Sequence, residues 1–539
     1  MPGRAMKADR RTLLGAGVVA ACAAGSGLAY GLRSPGLPDG RLEGADLARG
    51  HRLRDGGFPA PGRFDEVPVL IAGGGVAGLA AGWTLAEAGF GDFRLLELED
   101  SVGGNARNGR NNVSAYPLGA HYLPVANREA KALQHLLRRL GMITGDKDGA
   151  PVYDPAQLCA DLQERLFWHG SWQDGLIPRT GISAQDRADL TAFEAAMRTF
   201  SQRVGSDGKP AFALPIAYSS ADPELRALDR QNFAAWLDAQ GWHSPVLRAH
   251  VRYAMRDDYG TEPAQVSAWA GVHYFAGRRG WAADGTGDNE LTWPEGNGRL
   301  VHLMRSRFAD RIATGRIVHR VAREGERVLV DSFDVASGVT TRTSAGAAIL
   351  AMPHFVATRT CPELGGASAY SYAPWLVANI TVDRLPGGKG VPLAWDNVSS
   401  TSDSLGYVVA THQGPAAITA SSVLTWYLPL STMTPANARR LLLERPANEW
   451  KRVVRDDLLA MHPDMEDAIL RIDLWRWGHA MIRPTPGFIW SERPAPAAPL
   501  FLAHSDLSGL SIFEEAHYHG VRAAEGAMTH LNHPYESLL

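Results

Sequence analysis

The run VPVLIAGGGVAGLAAGWTLAEAG, starting at Val67, restricts the fold of this chain more than any other stretch. Its first six residues are short, apolar and rich in Val, Leu and Ile, as in a strand buried within a parallel sheet. Gly73, Gly75 and Gly78 then fall at the spacing G-x-G-x-x-G, and LAAGWTLAEAG reads as a helix that Gly89 stops. The first glycine permits a tight turn, the second lets the backbone approach a pyrophosphate, and the third lets helix and strand pack closely. A phosphate then sits on the helix N-terminus, at the N–H groups around Val76 and Ala77.

Glycine is common here, 57 of 539 residues, so the spacing alone carries little. The next segment decides. FRLLELE is a second strand, and Glu97 lies about 20 residues beyond the glycines, where a dinucleotide fold places a carboxylate on the ribose hydroxyls. An acid there suits an unphosphorylated ribose and disfavours NADP.

The length allows two or more domains. A formal net charge of −3 gives no electrostatic reason to expect nucleic acid. Three cysteines, Cys22, Cys159 and Cys361, form no C-x-x-C pair, so neither a zinc ribbon nor a disulfide scaffold is indicated. Cys159 and Cys361 could pair in an oxidising compartment, but sequence does not place them within reach.

DRRTLL, with Arg10 and Arg11, precedes a weakly hydrophobic Gly/Ala-rich run. It resembles a bacterial twin-arginine signal, an address for export of folded proteins. VAAC, ending at Cys22, also resembles a lipobox, in which Cys22 would carry a lipid; cleavage elsewhere nearby is the alternative. The expected location is periplasmic or on the outer face of a bacterial membrane. The membrane is met only through the N-terminal segment or that lipid. Residues 31–64, rich in Gly, Pro, Arg and Asp, read as a flexible tether.

Past Glu97 comes LELEDSVGGNAR, which resembles the signature of the flavin-containing amine oxidase and phytoene-desaturase-like superfamily. The resemblance implies that Gly103 and Gly104 approach the FAD diphosphate and ribityl chain. Asn105 stands where that family usually has Arg. YPLGAHY fits the next family segment. Gly119 and Ala120 would lie against the flavin, with His121 and Tyr122 near its reactive face; a loop histidine satisfied by backbone is the alternative for His121. TWPEGNGRLVHLM and the strand pair after it resemble the family's second block, with Val318 beside the adenine. LFLAHSD and EEAHYHGVRAAEGAM resemble the third. There Asp506 would contact the ribityl or phosphate portion, and Glu515 and Ala516 would lie at the helix N-terminus facing the flavin N1–C2=O edge. His504 replaces a usual Gly and would stand near the ring. His517 and His519 lack a third ligand, so no metal is expected.

The resemblance implies an α/β fold: a Rossmann-like FAD-binding domain from three segments (65–130, 286–360, 491–539) and an α+β substrate domain. The latter would comprise 131–285, mainly helical, and 361–490, mainly strands, after a signal over 1–30. Aromatics crowd the inserts, among them Trp375, Trp395, Trp426, Trp475 and Trp477, with Trp477 best placed near the flavin. A lysine common near flavin N5 in the family has no clear counterpart, Lys389 being the sole candidate. The implied activity is hydride transfer from a small-molecule substrate, an amine above all, to FAD, with oxygen or a quinone as acceptor. A lipid-like desaturase or isomerase, or a catalytically quiet flavoprotein subunit, would share the fold.

Overall fold

The computed structural model describes residues 36–365, 370–413, 421–493 and 495–539. The arginine pair and Cys22 lie outside the described residues.

Two sheets organise the chain. The first has seven strands and runs Ile312–Ala313, Phe93–Leu96, Arg63–Ala72, Thr340–Leu350, Arg327–Asp334, Arg316–Glu324, with Leu500–Leu502 also beside Thr340–Leu350. Its central strands are parallel, Ala72 pairing with Leu96 on one side and Leu350 on the other. Val69, Leu70, Ile71 and Ala72 have no exposed surface, as the continuous apolar run requires of a strand covered on both faces. Helix Val76–Glu87 follows at once, and Gly89 ends the turn after it with φ +77°. Helix Phe513–His530 packs on Val76–Glu87, and Gly520 allows the close approach, since a Cβ there would meet the Ala77 carbonyl.

The second sheet has eight strands: Leu42–Gly44, Ile469–Ile482, Tyr372–Val382, Ser422–Pro429, Tyr407–Val409, Asp396–Ser399, Glu164–Trp168 and Ser171–Asp174. Helices Ala184–Gln202, Phe233–Ala239, Pro245–Tyr259 and Ala268–Ala276 form a separate core beside it. This is the α/β, two-domain arrangement expected of the sequence.

Two expectations change. From residue 36 the tether is docked: Leu42–Gly44 adds a parallel edge strand on Leu474–Arg476, and helix Leu47–Asp55 follows, capped by Asp46. Its charges find particular partners that composition cannot reveal. Arg49 bonds the Leu98 carbonyl at 3.0 Å and Asp100 at 2.8 Å, while the Asp46 N–H donates to Glu99. The strap so formed joins the outer strand of one sheet to the acidic loop of the other. The insert 131–285 is mainly helical, but it also carries strands that its periodicity does not announce. Glu164–Trp168 and Ser171–Asp174 form a hairpin through His169 and Gly170, both at positive φ, and extend the substrate sheet.

Cys159 and Cys361 are both free and buried, in different apolar clusters, so no disulfide joins them. Among the described residues no helix is long and apolar enough to cross a membrane.

Candidate active site

The glycine loop is packed against backbone at Gly73 and Gly78 and open at Gly75. Gly73 takes φ +113°, and a Cβ there would strike the Ala351 carbonyl; one at Gly78 would strike the carbonyl of Gly73. A Cβ at Gly75 would meet nothing within 4 Å. Gly75 also caps helix Val76–Glu87 without a side-chain hydrogen bond, which leaves the N–H groups of Val76, Ala77 and Gly78 without an intrahelical partner beside that open space. Glu97 closes the loop from the second strand. Its Oε2 accepts the Gly74 N–H at 2.6 Å and its Oε1 the Glu99 N–H at 2.8 Å. Burial pushes this carboxyl up, against the pull of those two bonds and of Arg107.

The second glycine pair is laid against the first. The Gly103 N–H donates to the Gly74 carbonyl at 2.7 Å, and Gly103 bridges Gly75 in parallel. Asn105 spends its amide on the Ala480 carbonyl. Arg107, two residues on, is the buried cation here: it lies 3.4 Å from Glu99 and 5.2 and 5.3 Å from the rings of Trp475 and Trp477. Val318 is buried in the cluster that also holds Leu96, next to Glu97.

From this floor the segment Leu118–Tyr122 rises along an aromatic wall. The Ala120 N–H donates to the Asn105 carbonyl and the Ala120 carbonyl accepts from Asn297. Trp477 Nε1 donates to the Leu118 carbonyl at 2.6 Å, and the Tyr427 hydroxyl to the Gly119 carbonyl at 3.1 Å. His121 stacks on Tyr427 with centroids 4.6 Å apart, and Trp395 lies 5.6 Å from His121 and 6.1 Å from Tyr122. Burial holds His121 down at about 4, so its ring is neutral at physiological pH. His121, Tyr122 and Trp477, all named from sequence, thus gather with Gly119 and Ala120. Tyr427 was missed because nothing in SSVLTWYLPL distinguishes it from other strand aromatics; strand pairing alone brings it here.

The C-terminal residues collect elsewhere on the floor. His504 Nδ1 accepts the Asp506 N–H at 3.1 Å. Asp506 Oδ2 accepts the Tyr372 hydroxyl at 2.6 Å and the His354 N–H at 2.8 Å. Burial alone would raise the Asp506 carboxyl, but His504 and these donors outweigh it and hold it low. Among the described residues no contact joins His504 to His121. Glu515, in the first turn of helix Phe513–His530, accepts the Ile216 N–H at 2.6 Å and the Ser508 hydroxyl, while Ala516 packs beside it on the first core. The side chain of Glu515 is therefore turned to Ser508 and Ile216, leaving backbone as what this turn can offer a ligand. Ser508 also lies 2.7 Å from His519 Nε2, and among the described residues no three His, Cys, Asp or Glu converge as metal ligands would. Lys389 is exposed at the edge of the substrate sheet, its carbonyl accepting from Trp172.

Comparison with known proteins agrees with this geometry. No curated protein sequence matches the chain. Its fold is similar to that of a triple mutant of putrescine oxidase redesigned for cofactor binding (16% identity, 86% of this chain and 99% of that one, TM-score 0.63). It is also similar to cyclohexylamine oxidase from Brevibacterium oxydans (16%, 86% and 99%, 0.61) and a fatty acid isomerase from P. acnes (16%, 85% and 98%, 0.56). The flavin containing amine oxidoreductase family matches residues 76–528. With that match spanning most of the chain, and a glycine floor open where a dinucleotide phosphate belongs, the protein is a member of the flavin-containing amine oxidoreductases, an FAD-dependent oxidoreductase.

Proposed function

We propose that the protein is exported by the twin-arginine route and oxidises amines, a hydride leaving the carbon next to nitrogen. The aromatic wall of His121, Tyr122, Trp395 and Tyr427 carries this reading. Its own rings are uncharged at neutral pH, since His121 titrates only near 4, and aromatic faces attract ammonium groups. The wall also excludes water, and that desolvation works against the cation–π attraction and favours the neutral amine from which a hydride can leave.

In this reading the first loop holds the FAD diphosphate with the N–H groups of Val76, Ala77 and Gly78. Glu97 would exchange its bond to Gly74 for the ribose hydroxyls, and Gly103 and Gly104 would border the diphosphate. Val318 would face the adenine, and Asp506 would stiffen the turn beside the ribityl chain. The first turn of helix Phe513–His530, through the backbone of Glu515 and Ala516, would face the pyrimidine edge. Bound FAD supplies a two-electron acceptor at N5, later reoxidised by oxygen or a quinone. Trp477 and Tyr427 fix the Leu118–Gly119 backbone against which the ring would rest. The imine product hydrolyses in water.

The Tyr122 hydroxyl donates to the Asp257 carboxylate at 3.4 Å, and a carboxylate so close to the wall speaks against an apolar lipid tunnel. The test is anaerobic addition of a panel of amines to the purified protein while the visible spectrum is followed. Bleaching by an amine supports the proposal. A flavin that no amine reduces, and that a fatty acid or carotenoid-like lipid perturbs, would replace it with the desaturase or isomerase reading.

A further inference from the structure

Beyond Tyr122 four carboxylates arrive from four elements. Glu164 and Asp396 are direct register partners on adjacent parallel strands, so their side chains leave the same face of the sheet. Asp257 lies one turn beyond Tyr253 on helix Pro245–Tyr259. The two tyrosines tie the group together: Tyr253 donates to Asp396 at 3.0 Å and Tyr122 to Asp257 at 3.4 Å. Glu290 comes from the short ribbon in which Thr292 pairs with Tyr122, and with two-residue alternation Glu290 and Tyr122 project from one side of it.

These acids are under-compensated. Among the described residues the carboxylates of Glu164 and Glu290 have neither a hydrogen-bond nor an ion-pair partner. Arg278 acts on Asp257 and Glu290, but it is committed to Asp258 by contacts of 2.7 and 2.8 Å. Glu164, Asp257 and Glu290 are surrounded by protein yet keep open surface, as side chains facing a cleft or cavity do and packed ones do not. Burial and mutual repulsion push Asp257 up to about 7 and Glu290 to about 8. An unpaired buried carboxylate is costly, so the cavity favours a positive guest. No three of the acids converge tightly enough to hold a metal ion. Carboxylates that come from four elements without converging suit an organic cation better than a metal ion.

We propose that this acidic well receives the distal ammonium of an aliphatic diamine or polyamine whose reacting nitrogen lies against His121 and Tyr427. The inference rests on the amine reading above and adds the substrate class. It also gives the wall and the well separate duties: aromatic faces orient the nitrogen to be oxidised, and carboxylates count the charges behind it.

The test is an anaerobic titration of the FAD-loaded protein with 1-aminobutane, 1,4-diaminobutane and a linear triamine. It reads the binding-induced shift of the flavin spectrum separately from bleaching. The diamine is expected to half-saturate at a concentration at least about tenfold below the monoamine, the advantage of one desolvated charge pair. The isosteric variants Glu290→Gln and Glu164→Gln should collapse that ratio, with the flavin spectrum reporting that each is folded. Equal half-saturation by monoamine and diamine in the wild type, or a ratio that survives both substitutions, overturns the well. If the diamine binds preferentially but the flavin stays oxidised, the well stands and amine oxidation falls. If monoamines bleach the flavin with no preference for a second amine, amine oxidation stands and the well falls.

Discussion

The imidazole of His121 lies stacked on the phenol of Tyr427, 26° from parallel, while the Tyr427 hydroxyl holds the carbonyl of Gly119 two residues before that imidazole. One side chain thus fixes both the backbone against which the flavin would rest and the ring that would face the substrate. The two contacts can be separated. Tyr427→Phe keeps the stack and loses the hydroxyl bond, with a stability cost of about 1 kcal/mol. His121→Ala removes the stack and leaves the bond. We expect Tyr427→Phe to retain most of the flavin-reduction rate, and His121→Ala to slow it by roughly tenfold or more with FAD retained. Stopped-flow reduction by the best amine measures both. A normal rate in His121→Ala would remove that ring from the substrate wall.

The three glycines of the first loop predict two different outcomes, because the space around them differs. Gly73→Ala and Gly78→Ala drive a methyl into backbone carbonyls that cannot move, and each should cost about 3 kcal/mol or more. Gly75 has ordinary backbone angles, φ −70° and ψ −177°, and open space around it. Gly75→Ala should therefore fold normally and lose FAD, the methyl occupying the place of the pyrophosphate. Thermal unfolding of the apoprotein, paired with FAD content as isolated, separates the cases. Full flavin content in Gly75→Ala would move the diphosphate away from this loop.

That loop was legible because its constraints are local. The positive φ of Gly73 and the contact of Gly78 with the Gly73 carbonyl are set within six residues, the Ala351 carbonyl adding a distant constraint on Gly73, and Glu97 follows at the distance one helix and one strand impose. The acidic well was not legible. Glu164 and Asp396 are 232 positions apart in the chain and meet only through register between strands whose pairing no local pattern records. Tyr427 reaches His121 in the same non-local way. The strap at residues 36–64 shows the converse error. Its Gly, Pro and charged residues have the composition of a tether, yet Asp46 and Arg49 are spent on a cap and on Glu99 and Asp100.

Glu97 binds two backbone N–H groups in the absence of ribose, so its removal should be felt in two ways. Glu97→Ala frees the Gly74 and Glu99 N–H groups and deletes the carboxylate meant for the ribose. We expect FAD affinity to fall by about tenfold or more, and the apoprotein to lose on the order of 1–3 kcal/mol. Equilibrium dialysis of FAD and urea unfolding of the apoprotein provide the two readings. Wild-type FAD occupancy in the isolated mutant would place the ribose elsewhere.

Stability should pass through a maximum near pH 6.5, for opposing reasons on the two sides. Burial raises Asp257 and Glu515 to about 7 and Glu290 to about 8, far above their unfolded values. The native state then holds protons that the unfolded chain has released, so stability falls as pH rises from about 4.5 toward 8. Burial lowers His121, His250, His273, His462 and His479 to about 4. The unfolded chain then binds protons that the native state refuses, so stability falls as pH drops from about 6.5 toward 4. Below 6.5 the more numerous histidines outweigh the acids; above it the unfolded histidines give up their remaining protons and the acids dominate. Asp257 and Glu290 share the field of Asp258, Glu164 and Arg278, and Tyr122 donates to Asp257, so their share of the alkaline limb belongs to the well as a unit, with Glu515 adding its own separately. Melting temperatures from pH 5 to 8.5 test this directly. Glu290→Gln should flatten the fall above 6.5, as should a saturating diamine. An alkaline limb that neither changes would show that these carboxylates are already ionised in the folded protein.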